Sequence, residues 1–247
     1  MSEKNWPVFW GMLALAVALV VAGAFVSKSV RDIRRAGDTI TVTGSAKRAI
    51  RSDLIIWSCN VSGRSETMQG AYQEVKRHTT RVLAYLRDQK VPDREITLAS
   101  IETRPLYQTE RVGESNEVNR RLVGYELVQS ISIQSTNVDG ITALSRKITD
   151  LIQEGVPLES AAPQYIFTKL SEMRVQMLGE ATKDAKQRAR TMVEAVGGRV
   201  GALRLIRSGV FQITPLYSND VSDSGMNDTT ALHKEITAVV TATFAVQ

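Results

Sequence analysis

The chain has 247 residues, 43% hydrophobic and 23% charged, which is ordinary for a globular protein and enough for one large domain or two small intertwined ones. Aromatic residues make up only 6%, against a sugar-binding or base-stacking surface. The net charge is +5, but the basic residues outside one N-terminal cluster interleave with acids, as in Glu180, Lys183, Asp184, Lys186, Arg188, Arg190 and Glu194, which is a solvated helix face and not the basic stripe of a nucleic-acid reader.

Val8 to Val26 is an uncharged, mostly aliphatic run. As a helix it spans roughly 28 Å, close to the ~30 Å hydrocarbon core of a bilayer. Trp6 and Trp10 sit at its leading edge, where indoles prefer the headgroup level. Lys28, Arg31, Arg34 and Arg35 follow its other end, a collar suited to anionic headgroups. Gly11, Ala14, Ala18 and Ala22 form one small-residue stripe, of the kind along which membrane helices approach one another. Ala22-Gly23-Ala24 also fits a signal-peptide cleavage pattern, but Lys4 is opposed by Glu3 and the run exceeds an ordinary signal core. The sequence therefore predicts a retained transmembrane anchor over residues 1–27, a basic linker over 28–38 and a folded domain over 39–247. The flanking positive charge favours a cytoplasmic domain.

Strands are predicted over 39–46 and 54–62, where Ile55, Trp57, Cys59 and Val61 share one face by the two-residue period. A helix follows over 66–89, with Met68, Ala71, Tyr72, Val75, Thr79, Val82, Leu83 and Leu86 at three- and four-residue spacings as one apolar face against a sheet, ended by Val91-Pro92-Asp93. A strand over 96–107, a polar loop over 109–119 and a strand over 122–134 form a hairpin. A second amphipathic helix covers 138–154, capped by Gly155. A short strand over 165–170 leads into a long helix over 171–196, with Ser171 as its N-cap and Leu178, Ala181, Ala185, Ala189, Met192 and Val196 as its inner stripe. Gly197-Gly198 ends it. Strands over 200–207 and 234–246 enclose a Ser-, Asn-, Asp- and Gly-rich segment over 218–230, read as a flexible loop or a tip that orders on assembly. The order ββα, ββα, βα, ββ indicates an α+β fold: antiparallel sheets with helices packed on one face.

Motifs for catalysis do not emerge. His78 lies among Lys76, Arg77 and Arg81 and is expected to face water; His233 opens the last strand, and neither has partners at metal-ligand spacing. Gly197-Gly198-Arg199-Val200-Gly201 follows a helix, whereas a phosphate cradle must open one. Cys59, the only cysteine, is expected to be buried and inert. No cofactor or metal is expected.

Gly179-Glu180-Ala181-Thr182-Lys183-Asp184-Ala185, with Arg188-Ala189 and Gly197-Gly198-Arg199-Val200-Gly201, resembles the SIMPL-domain (DUF541) family. So do Thr103-Arg104-Pro105-Leu106-Tyr107, Gly124-Tyr125-Glu126-Leu127 and Ile40-Thr41-Val42-Thr43-Gly44-Ser45-Ala46. The resemblance covers about Ile40 to Val246. It implies an α+β fold, export to the periplasm or envelope of bacteria, and homo-oligomers in some members. It carries no agreed activity and no catalytic residues, and on location it opposes the flanking charges.

The expectation is a non-enzymatic protein anchored in the bacterial inner membrane, domain outside, forming a homo-oligomer such as a ring or cage that acts as an envelope scaffold, with the lipid bilayer and its own copies as partners and no nucleic acid. The alternative is a binding module that captures a ligand or protein through 109–119 and 218–230. An enzyme would need a concave pocket with convergent polar groups.

Overall fold

The computed structural model describes residues 10–13, 15–16, 18–20, 22–23, 38–112 and 117–247. Trp6, Ala14, Lys28, Arg31, Arg34 and Arg35 lie outside the described residues, as does much of the expected anchor. Trp10, Gly11, Ala18 and Ala22 are helical and exposed. Among the described residues no helix is long and apolar enough to cross a membrane.

In chain order the elements are β1 Thr39–Arg51, β2 Leu54–Ser65, α1 Met68–Asp88, β3 Ile96–Leu98, β4 Glu102–Val112, β5 Glu117–Ser135, α2 Val138–Lys147, β6 Leu158–Ser160, β7 Gln164–Ile166, α3 Leu170–Glu194, β8 Val200–Ser208, β9 Gln212–Pro215, β10 Met226–Asn227 and β11 His233–Val246. The sheets are antiparallel apart from the short β9–β10 pair, as expected for α+β. Two compact units interleave along the sequence. One comprises Met1–Lys47, Ser171–Phe211 and Thr237–Gln247; the other, Arg48–Leu170 and Gln212–Ile236.

In the first unit β11 has β1 on one side and β8 on the other. Strict alternation in β11 buries Ala238, Val240, Ala242 and Phe244 on one face. α3 covers that face, and Val42, Ala185, Ala189, Ala242 and Phe244 form the core between them. The buried stripe of α3 is Met177, Ala181, Ala185, Ala189 and Val193. Met192 and Val196 are exposed, contrary to their expected place inside. The stripe advances by four at every step, so the inward position falls on Val193 and the residues beside it turn out to solvent. Ser171 lies within the helix, which begins one residue earlier, and is not its N-cap. Gly197 takes φ of 81° and the Gly198 N–H returns to the Val193 carbonyl at 3.0 Å, the left-handed helix end that was expected.

In the second unit β2 and β5 form the centre of a six-stranded sheet, with β3 and β4 on β5 and β6 and β7 on β2. Ile55, Trp57, Cys59 and Val61 point to one face and pack with Val82 and Leu86 of α1 and Ile141 and Leu144 of α2. Thr67 caps α1 by accepting from the Gly70 N–H at 3.1 Å. His78 is buried, not facing water. It follows Val75 by three residues and precedes Val82 by four, which sets it on the inner face, where Nδ1 donates to the Ser62 carbonyl at 2.8 Å. The expected helix over 138–154 turns 3-10 at Ile148–Ile152, a geometry that aligns the buried Ile148 and Leu151.

The largest correction concerns 96–119. The expected single strand is two, β3 and β4, and the expected polar loop is largely a continuation of the hairpin, paired as far as Val112 with Glu117. Polar sequence reads as loop, but a ladder of backbone hydrogen bonds does not depend on apolar side chains. Pro105 is tolerated because β4 is an edge strand that, among the described residues, pairs with β5 alone.

Candidate functional site

The stretches that carry the family resemblance come together as joints. In the first unit, a Cβ placed on Gly44 would lie 2.3 Å from the Ala181 carbonyl oxygen and 2.3 Å from the Ala185 nitrogen. The backbone of α3 thus rests directly on β1, which explains both the glycine and the alanines. The Asp184 carboxylate accepts from the Ser45 N–H at 2.8 Å, and Arg188 pairs with Asp184 at 2.8 Å. The Ser45 N–H is thereby satisfied by a side chain.

In the second unit, Thr103-Arg104-Pro105-Leu106 stands in register with Gly124-Tyr125-Glu126-Leu127: Thr103 faces Leu127, Arg104 faces Glu126, Pro105 faces Tyr125 and Leu106 faces Gly124. A Cβ on Gly124 would come within 2.7 Å of the Ser65 carbonyl, so the chain entering α1 crosses over that glycine. Arg64 also faces Glu126 and pairs with it at 2.6 Å, while Arg104 grips Glu102 through two hydrogen bonds of 3.1 and 2.9 Å. This Arg–Glu–Arg row borders a hollow of about 360 Å³ with Asn60, Ser62 and Glu159. Arg64 is paired with Glu126 across strands and Arg104 with Glu102 along β4. Among the described residues no three His, Cys, Asp or Glu side chains are placed to hold a metal ion. Cys59 is buried and its thiol is pushed up to about 12 by desolvation, the inert state expected.

Sequence reasoning missed Lys234. Its side chain is 2% exposed, and Nζ donates to the Tyr165 carbonyl at 2.6 Å and to the Asp228 carbonyl. Asp228 in turn accepts from the Thr230 and Ala231 N–H groups, each at 3.0 Å, and the Gln212 amide donates to the Ser222 carbonyl at 2.6 Å. The segment over 218–230, read as flexible, is therefore fastened at two points within its own unit. The signal was available: Lys234 shares the inward parity of Ile236, Ala238 and Val240.

Two surfaces remain apolar and uncovered. β8 is hydrogen-bonded to β11 along one edge, and among the described residues no strand pairs with its other edge. It exposes Leu203, Leu205 and Ile206, with Val210 just beyond. In the second unit, a groove of about 530 Å³ is lined by Met68, Gln69, Tyr72, Ile101, Thr103 and Leu127, where Met68 and Tyr72 are about half exposed. Neither surface is built from the residues expected to join copies: of the small-residue stripe, Gly11, Ala18 and Ala22 lie in described helix and Ala14 does not, and Trp10 is the one headgroup residue described.

The family whose description is SIMPL, "Protein of unknown function (DUF541)", matches residues 40–244. A relative, "Uncharacterized protein YggE" of Edwardsiella ictaluri (strain 93-146), is 21% identical over 209 residues, covering 83% of this chain and 81% of its own length.

Proposed function

The chain belongs to the SIMPL family of proteins of unknown function (DUF541), and from that premise we propose that it is a bacterial envelope protein, anchored in the inner membrane by residues 8–26 with its domain on the outer side, which works by assembling with its own copies and not by catalysis. The observation that carries the assembly reading is β8. A long edge strand with exposed aliphatic side chains is a template for pairing with another chain, and proteins that stay single cover or blunt such edges. Arg204 and Arg207 interrupt the apolar row and discourage indiscriminate stacking, but Leu203, Leu205 and Ile206 remain open to water. The anchor reading rests on the uncharged run, its tryptophans and the basic collar of Lys28, Arg31, Arg34 and Arg35. The non-catalytic reading is supported by the pairing of Arg64 with Glu126 and of Arg104 with Glu102 beside that hollow, and by the burial of Cys59.

Capture of a ligand by a mobile 218–230 segment has less support, because Gln212 and Lys234 fasten that segment. The test is the mass of the full chain in mild detergent, measured over a range of concentrations. Discrete multiples of 27.2 kDa support assembly, and a single 27.2 kDa species throughout contradicts it. Retention of the full chain in membranes after alkaline wash tests the anchor, and release into the wash contradicts it.

A further inference from the structure

The β4–β5 hairpin is longer than the sheet that supports it. β2 stops facing β5 at the Ser65–Tyr125 pair, yet β4 and β5 stay paired from Leu106 and Gly124 out to Val112 and Glu117. A shift of register between Leu106 and Tyr107 leaves Val123 without an opposite residue and marks where the ribbon leaves the body. Beyond it, the six residues of β4 from Tyr107 to Val112 reach about 20 Å at strand rise. A two-stranded ribbon of that size is marginal alone in water. This one also exposes Tyr107, which is 56% accessible and faces Leu122, together with Leu122 and Val123.

The groove beside α1 is the complementary defect. Thr103 and Leu127, at the root of the same hairpin, form one wall, and Met68 and Tyr72 of α1 form the other. The ribbon cannot fill its own groove. Tyr107 and Leu122 lie farther along the very strands that wall it, and a paired ladder does not fold back on its root within four residues. Charge beside the two seats is complementary: exposed Arg120 and Arg121 directly precede Leu122, with Glu110 and Glu117 farther out along the arm, and exposed Glu66 stands two residues ahead of Met68, while Arg64 is taken up by Glu126 and Arg104 by Glu102.

We propose that the projecting β4–β5 arm of one copy seats Tyr107 and Leu122 in the Met68–Tyr72 groove of a second copy. The contact is heterologous, arm to groove, so each copy offers one of each and the chain of contacts closes into a ring or runs on as a filament. This inference rests on the assembly reading above and adds to the β8 edge a second, separate joint.

The test uses the full chain in detergent, with Tyr107→Cys on one preparation and Tyr72→Cys on another, and a short bismaleimide as the probe. Buried Cys59 leaves the engineered thiols as the reactive ones. A covalent dimer is expected in the mixture and not in either preparation alone. In parallel, Tyr107→Asp with Leu122→Lys and, separately, Met68→Glu with Tyr72→Glu are each expected to lose the wild-type particle mass, and their equimolar mixture is expected to form a two-chain species and nothing larger through this joint. All four side chains are exposed or at the surface, so folding is checked by an unchanged far-ultraviolet spectrum, and Tyr107→Phe should assemble as wild type. A wild-type chain that is monomeric throughout overturns both the assembly reading and the joint. A wild-type particle whose mass survives both double variants, with no mixed cross-link, overturns the joint alone.

Discussion

Gly44 and Ala185 touch backbone to backbone: a methyl group on Gly44 would meet the Ala185 nitrogen at 2.3 Å and its Cα at 2.7 Å. Both residues belong to stretches by which the family is recognised. The relationship is one of packing: strand and helix can approach this closely only if the strand residue lacks a side chain and the helix residue is small. Gly179, in the same family stretch, has nothing within 4 Å of its Cβ position.

These two glycines predict opposite outcomes. Gly44→Ala forces the backbone of α3 away from β1 and should destabilise by about 1–3 kcal/mol or more, as overpacking does. Gly179→Ala adds a helix-favouring residue in open space and should stabilise by about 0.5–1 kcal/mol. Thermal melting of the two variants beside the wild type checks the sign of each.

Lys234 predicts a local effect. Lys234→Met removes the donor to the Tyr165 and Asp228 carbonyls while keeping the stem's volume. Leaving those acceptors unmatched costs about 1–3 kcal/mol. Amide hydrogen exchange should accelerate across 218–230 first, and limited proteolysis should cut there, while β2 and β5 stay protected. Uniform loss of protection would contradict the clasp.

Acid should weaken the second unit through two aspartates. Burial raises the Asp53 pKa, but the N–H and hydroxyl of Thr168, at 2.7 and 2.8 Å, outweigh it and hold the carboxyl below its usual range. Asp228 behaves alike, with burial opposed by the hydroxyl and N–H of Thr230 and the Ala231 N–H. A folded-state pKa below the unfolded value of 3.8 means that stability is fully present above pH ~4 and is lost as pH falls through the folded value. Asp53→Asn with Asp228→Asn should therefore flatten the acid limb of a denaturant-midpoint-versus-pH curve. An unchanged limb would assign acid sensitivity elsewhere.

Cys59 should be silent. With the thiol buried and its pKa pushed up to about 12, native protein should not react with a disulfide reagent at pH 8, and reaction should appear only on unfolding. Rapid labelling of the folded chain would contradict the packing of β2.

What could be read from sequence was whatever repeats with a period. β11 alternates from Lys234 to Phe244, α1 keeps a three–four spacing, and Gly155 and Gly197 mark helix ends by the left-handed conformation they adopt, with φ of 82° and 81°. β6, β7 and β9 are three or four residues long, too short to show a period, and are recruited by β2 or β11 as partners. The outer hairpin is hidden because polar residues dominate 108–121 and leave no two-residue apolar period to read. The exposed row on β8 was read as a strand, but which neighbours a strand lacks is a property of topology. Leu203, Leu205 and Ile206 look like core residues until β8 is seen to be an edge. Lys234 was overlooked because its charge outweighed its parity.

The central claim is that this chain acts as an assembly of its own copies. The most direct measurement is native mass spectrometry of the full chain released from detergent micelles, across a wide range of protein concentration. The account predicts one dominant closed species at a fixed multiple of 27.2 kDa, lost when Leu205 and Ile206 are both changed to Glu. A wild-type chain that flies only as a 27.2 kDa monomer at every concentration contradicts it.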